Sequence, residues 1–226
     1  FSDFNLPSRK AYIYCVDNLI SIDLGENRTT KHLDIAIGTG RRAIRIRELS
    51  GLNYEIVGVE ISEEMCKIAN SRGLRTYHQD WANNDSHTGE MFESATFLYA
   101  FGHIADRKNR VKSLKKINSY LKEGSPFYID LFSLNNNNEW GPLTLKAFQE
   151  NNLGKHGYEK GDVFYKKRGF SELAFLHYFE FNEIKSLLAN TGFRIEWVKY
   201  IGYSKNPGQI VDSEREGNFI IKAIKI

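Results

Sequence analysis

The run His32-Leu-Asp-Ile-Ala-Ile-Gly-Thr-Gly40 constrains the fold of this chain more than any other stretch. A short apolar strand, His32 to Ile37, ends in two glycines one residue apart, and Arg41 to Leu49 reads as a helix. Glycine carries no Cβ, so the backbone there can turn tightly and come close to a ligand. The helix that follows aims its first amides at the same place. Tyr54 to Glu60 is a second strand, rich in β-branched residues, and it delivers Glu60 twenty residues past Gly40. An acid at the carboxyl end of that strand can accept hydrogen bonds from both hydroxyls of a ribose. Gly38-x-Gly40-x-x-Ala43 also fits a dinucleotide fingerprint, so these residues by themselves specify a nucleoside-cofactor enzyme without choosing the cofactor.

The rest of the chain keeps the same rhythm up to residue 132. Arg9 to Ile22 reads as a helix with Ala11, Tyr12, Cys15, Leu19 and Ile22 near one face. Ser62 is a good N-cap for a helix that carries Glu63 and Glu64 in its first turn and ends at Gly73. Leu74 to His78, Phe92 to Phe101 and Gly124 to Phe132 read as further strands, with a long helix from Ile104 to Leu121 between the last two. Alternating strands and helices predict an α/β, doubly wound, mostly parallel sheet covered on both faces. Ser133 to Gly169 breaks the pattern with four consecutive asparagines and then Trp140-Gly-Pro142. Residues 133–170 are expected to form a small cap or lid insertion, partly helical around Leu143 to Glu150, on a single domain spanning residues 1–226. Phe181 to Asn190 reads as a late helix, and Phe193 to Tyr200 with Asn218 to Ile224 as a closing pair of strands.

Composition narrows the class. A chain of 226 residues suits one domain. No apolar run approaches the roughly 20 residues needed to span a bilayer. Phe1 to Tyr14 is mixed and polar, which does not read as a signal peptide. Two cysteines, Cys15 and Cys66, lack a CxxC partner, so neither a zinc site nor a disulfide framework is expected, and a reducing, cytoplasmic setting is. A net charge of +3 permits a nucleic-acid partner but falls short of a strongly basic signature.

Leu33-Asp-Ile-Ala-Ile-Gly-Thr-Gly40 resembles the first motif of the class I S-adenosylmethionine-dependent methyltransferases, an acid followed by spaced glycines. Asp34 matches the acid near the methionine end of the cofactor, and Ala36, Gly38 and Gly40 match the three glycine positions, Ala36 being a departure. Glu60 matches the ribose-binding acid and Ile61 the apolar residue on adenine. His78-Gln-Asp-Trp81 is similar to the segment after the third strand, with Asp80 meeting the adenine amino group and Trp81 as its neighbour. Leu121 to Asp130, with Ser125 in place of a usual glycine, and Phe179 to Phe193 resemble the family's turns into its fifth and sixth strands. The resemblance covers about residues 30–132 and 177–226. It implies a seven-stranded, Rossmann-like sheet with an antiparallel last strand, and S-adenosyl-L-methionine as a cofactor that leaves as S-adenosyl-L-homocysteine.

The resemblance also implies contacts further along the chain. Tyr99 and Ala100, after the fourth strand, are carried over as cofactor contacts, and Tyr12 and Tyr14 lie in an N-terminal helix of the kind that covers the cofactor. His103 stands on the rim where an acceptor should sit and is the candidate base. Asp130, Tyr165, His177 and Tyr178 are candidate acceptor contacts. Trp140, Tyr158, Phe164 and Tyr165 offer aromatic surface in the insertion, and Lys155, Lys160, Lys166, Lys167 and Arg168 offer charge. Such a mixture can bind RNA or line a lid over a small anion. The modest net charge favours a small-molecule acceptor over RNA. A catalytically silent binding subunit is the alternative of another class, and a nicotinamide-dependent oxidoreductase ranks last. Arg41, Arg42 and Arg45 read as a solvated helix face. No metal is expected.

Overall fold

The computed structural model of the chain describes residues 6–84, 89–166 and 171–226. Lys167 and Arg168 of the basic stretch therefore lie outside the described residues. The strands in chain order are β1 (Lys31–Ile35), β2 (Glu55–Glu60), β3 (Arg75–His78), β4 (Ser94–Phe97), β5 (Pro126–Leu131), β6 (Asp162–Lys166), β7 (Leu173–His177), β8 (Phe193–Ile201), β9 (Ile210–Val211) and β10 (Asn218–Lys225). The helices are α1 (Pro7–Asn27), α2 (Arg41–Ser50), α3 (Glu63–Ser71), α4 (Arg107–Tyr120), α5 (Gly141–Glu150) and α6 (Phe181–Ala189).

The main sheet has the order β3-β2-β1-β4-β5-β10-β8-β9. β1 to β5 run parallel, and β10 lies antiparallel between β5 and β8. The expected seven strands are present, with the two-residue β9 added at the edge. Alternate residues feed two cores. Leu33, Ile35, Val57, Val59, Phe127 and Ile129 pack with α4 and α6 on one face. Ile56, Tyr128 and Ile220 pack with α1 and α2 on the other. Chain order reverses between β1 and β4, which leaves a crevice at their carboxyl ends, the usual ligand place in such sheets.

Three expectations need correction. The buried face of α1 is Tyr12, Ile13, Val16, Asp17, Ile20, Ser21 and Leu24, whereas Ile22 is exposed. The helix starts at Pro7, and an acid and a serine share its inward face, which hides the stripe from an apolar count. The fourth strand stops at Phe97 rather than Phe101, because Tyr99 takes φ 60 and turns the chain into a 3₁₀ turn over Phe101–His103. The third correction concerns β6 and β7, which pair as an antiparallel hairpin where only an aromatic and basic loop was expected. Phe164, Tyr165 and Val163 favour a pleated strand as much as a ligand surface. The hairpin runs past residue 170 to His177, and there it docks on the main domain: a Cβ on Gly102 would lie 2.9 Å from the His177 carbonyl.

Candidate functional site

A cleft of about 1210 Å³ opens at the carboxyl ends of β1, β2 and β4. Its lining includes Tyr14, Asp34, Ala36, Gly38, Glu60 and Ile61. Asp80, Trp81, Tyr99, Ala100 and His103 line it as well. Eleven residues named from the sequence alone therefore converge on one cavity.

The glycine turn is held by the acid it faces. Glu60 is buried, with its carboxylate accepting from Gly38 N at 2.9 Å and Ser62 N at 2.9 Å. A carboxylate has about four acceptor positions, so two remain for a pair of ligand hydroxyls. Gly38 has φ +58, and a Cβ there would meet only Met65 Sδ at 3.9 Å, so the turn has an open side. Gly40 is different. Its φ is +75, a Cβ would lie 2.2 Å from Leu74 Cδ1, and it does not line the cleft. It serves packing of the turn against the chain entering β3, which corrects its assignment as a ligand contact.

Ala36 sits at φ 59, where an L side chain is strained. This explains why glycine is the family's residue at that position. Ala36→Gly is expected to stabilise the fold by about 0.5–1 kcal/mol, relief of the left-handed strain being partly offset by the freer unfolded chain. Thermal unfolding checks this, with a rise in midpoint of roughly 2–4 °C expected for a chain of this size.

Asp34 belongs to a buried polar row on the α1 and α2 face. His32 pairs with Ser94 at 2.7 Å and Thr96 at 2.9 Å, and Thr96 Oγ1 donates to Asp34 at 2.8 Å. Burial pushes the Asp34 carboxyl up to about 7, although the Thr96 hydroxyl and Arg42 pull it down. Burial pushes His32 down to about 3, so it is neutral. A carboxyl whose folded value is raised favours folding at low pH, and that contribution is lost as pH rises from about 4 to about 7. Asp34→Asn has no such loss. Its stability relative to wild type is therefore expected to improve across that window, as read from urea midpoints at each pH.

Of Arg41, Arg42 and Arg45 on α2, Arg41 is exposed as expected, but Arg42 and Arg45 do not form a solvated face. Asp17, wholly buried on α1, accepts from Arg42 Nε at 2.9 Å and Arg45 Nε at 2.8 Å. Arg45 also lies 4.5 Å over the ring of Tyr14, which is exposed at the cleft. The sequence carried a signal for this in Asp17, an acid on the apolar stripe of α1. Asp80 spends its carboxylate on Ala82 N (3.0 Å) and Asn83 N (3.2 Å), fixing the loop after β3. Trp81 is buried against Tyr120 at 5.6 Å with Lys116 over its ring at 4.2 Å. Ile61 is exposed in the cleft, and His103 Nδ1 donates to the Phe175 carbonyl at 2.7 Å, which ties the rim to β7.

The remaining candidates fall elsewhere. Tyr12 is buried and lines a separate small cavity with Asp130 and His177 rather than the cleft. His177 presents both ring nitrogens to carboxylates, Asp162 at 2.6 Å and Glu183 at 3.2 Å. Burial would push its value down, but these two acids outweigh that and raise it above the ordinary histidine range. It clamps the hairpin to α6. Tyr178 is buried against Phe132 at 5.5 Å, and Tyr165 is half-buried on the hairpin; neither lines the cleft or the small cavity.

A family model described as a methyltransferase domain matches residues 33–124, the stretch that builds the turn, Glu60 and the rim. Over that stretch the chain is similar to methyltransferase domains. No curated protein matches it. Solved structures carry the fold comparison. An S-adenosylmethionine-dependent methyltransferase from Methanosarcina mazei is 20% identical, with 88% of this chain and 93% of that chain covered at a TM-score of 0.66. One from Clostridium acetobutylicum is 17% identical, covering 100% and 94% at 0.64. The 1,6-didemethyltoxoflavin-N1-methyltransferase of Burkholderia thailandensis, solved with its substrate and S-adenosylhomocysteine, is 16% identical, covering 99% and 82% at 0.64. The cleft has features of its own that suit a nucleoside cofactor: an open glycine turn, two unspent acceptor positions on the buried Glu60 carboxylate, and an exposed apolar face at Ile61.

Proposed function

We propose that this methyltransferase acts on a small-molecule acceptor, with the cofactor over β1 and β2 and the acceptor on the β4 and β5 side. The observation that carries the reading is the Glu60 carboxylate, buried at the mouth of β2 and bonded to the glycine turn at 2.9 Å. S-adenosyl-L-methionine, when bound, supplies a methyl group already activated on a sulfonium and leaves as S-adenosyl-L-homocysteine. Glu60 holds the ribose hydroxyls, Ile61 offers an apolar face to adenine, and Asp34 faces the cationic end. Asp80 and Trp81 shape the adenine side, and Tyr99 and Ala100 form the wall between cofactor and acceptor. Positioning is the protein's main contribution to such a transfer.

His103 is the proposed proton acceptor for the incoming group. The Phe175 carbonyl accepts a hydrogen bond from its Nδ1–H, so in the neutral ring the lone pair is on Nε2. His103→Gln is expected to lower kcat by roughly 100-fold, the usual scale for a positioned base, with cofactor affinity unchanged. Equal kcat would reduce His103 to a tie between rim and hairpin. The hairpin and α5 act as the cap over the acceptor, on a single domain. Leu176 and His177 of the hairpin wall the small cavity beside β5, and this favours a small molecule over RNA. Among the described residues no helix is long and apolar enough to cross a membrane, and we place the enzyme in the cytoplasm.

Calorimetry tests the proposal. S-adenosyl-L-methionine and S-adenosyl-L-homocysteine are expected to bind and NAD is not. A well-folded protein that binds none of them would instead support a silent subunit.

A further inference from the structure

A second cavity adjoins the cleft, with Tyr99 and Ala100 lining both. It measures about 10 Å³, close to the least space that holds one water. Its walls include Tyr12 of α1, Tyr99, Phe132, Gly102 and His177, with Asp130 at the end of β5 as a polar floor. Tyr99 meets Phe132 edge to face at 5.5 Å. Tyr99 is held at φ 60 while its amide donates to Asp130 Oδ1, so this carboxylate fixes a strained wall residue.

The other oxygen is unspent. Asp130 is 4% exposed, and its Oδ2 has no hydrogen-bond partner among the described residues. It lies 3.8 Å from Arg42 Nη1, which is also unpartnered. A buried acceptor left without a donor is costly, so a donor belongs there. His177 cannot supply it, because both its nitrogens face Asp162 and Glu183. Size and polarity then limit the occupant. The head group must be about as large as water. Aromatic faces attract cations, and a carboxylate oxygen attracts N–H donors. A carboxylate or phosphate head is larger and meets the charge of Asp130. Arg42 does not reverse this, since Asp17 takes its Nε and sits 2.8 Å from its Nη2, whereas Arg9 already lies 5.1 Å over the Tyr99 ring and leaves Tyr12 and Phe132 as the faces for a ligand.

We propose that this chamber is the head-group pocket of the acceptor and that it selects a primary or secondary amine, bound as ammonium between Asp130 Oδ2 and the rings of Tyr12 and Phe132, which passes one N–H proton to His103 in the adjoining cleft before its lone pair takes the methyl group and the sulfonium C–S bond breaks. The proposal rests on the methyltransferase reading and names the chemical class of its acceptor.

Calorimetry on the full chain saturated with S-adenosyl-L-homocysteine, near neutral pH, provides the test. The probes are phenethylamine, phenethyl alcohol and phenylacetate, which share a body and differ in head group. The amine is expected to bind at least about tenfold more tightly than the alcohol, and the acid more weakly than either. Asp130→Asn keeps an acceptor for the Tyr99 amide and removes the charge, so it is expected to bring amine and alcohol within about twofold of each other. The wild-type comparison stands even if the variant folds poorly. Equal binding of amine and alcohol, tighter binding of the acid, no binding of the amine to the loaded protein, or a preference that survives in a folded Asp130→Asn would each overturn the proposal. Failure of S-adenosyl-L-homocysteine itself to bind would overturn the methyltransferase reading beneath it.

Discussion

Glu60→Ala is expected to lower the affinity for S-adenosyl-L-homocysteine by about 100-fold to 1,000-fold, close to 3–4 kcal/mol. Two hydrogen bonds from ribose hydroxyls to a charged acceptor are lost, each worth about 1.5–3 kcal/mol. The same carboxylate joins Gly38 N to Ser62 N, so its removal also releases the turn from the start of α3. These two contributions separate experimentally. Lost ribose contacts weaken every ligand that carries the ribose and leave thermal stability nearly unchanged. A released turn lowers the unfolding midpoint of the free protein as well. A threefold loss or less, with an unchanged midpoint, would mean that Glu60 is only the latch of the turn, and the ribose would have to be held elsewhere in the cleft.

The position of Glu60 was legible in the sequence because it follows from covalent order. A strand that ends at residue 60 beside a strand that ends at a glycine turn places the acid at the turn whatever else the chain does. The parallel register of β1 and β2, with Ile35 opposite Val59, turns that order into distance. The places of Asp34, Gly38, Ile61 and His103 on the cleft were readable for the same reason. Gly40 was misassigned because a motif does not reveal which way a missing Cβ would point, and here it points at Leu74. The hairpin of β6 and β7 escaped notice because its aromatic and basic residues suggested a ligand surface before they suggested a pleat. His177 and Tyr178 were expected at the pocket from proximity to the late helix, yet the partners that decide their roles, Asp162 and Phe132, are distant in sequence. Arg42 and Arg45 looked solvated because Asp17, which neutralises them, lies on another helix. Local pattern reaches the cofactor side of this molecule; the acceptor side is built from tertiary pairings.

Asp17→Ala is expected to destabilise the protein by about 3–5 kcal/mol, the cost of leaving a buried cation without its counter-ion. Asp17 is wholly buried, and its carboxylate accepts from Arg42 and Arg45, with Arg45 Nη2 as a further donor. Without it, Arg42 faces only Asp130, whose nearest approach is 3.8 Å. The unfolding midpoint should fall by roughly 10 °C, taking a few degrees per kcal/mol for a chain of this size. The effect should not stop at stability. Arg42 freed from Asp17 is drawn toward Asp130 Oδ2, the oxygen assigned to the acceptor, and α1 loses its polar tie to α2. Amine binding to the loaded protein should therefore weaken in Asp17→Ala even at a temperature where the variant is fully folded, whereas cofactor affinity, set at β1 and β2, should change little. A stability loss of about 1 kcal/mol or less would place the pair among exposed ion pairs. The hold of α1 on the sheet would then rest on its apolar face and on Asp23, which accepts from Lys222 of β10 at 2.9 Å and from the Tyr128 hydroxyl of β5, and the polarity of the chamber would have to be maintained by Arg42 and Asp130 without help from Asp17.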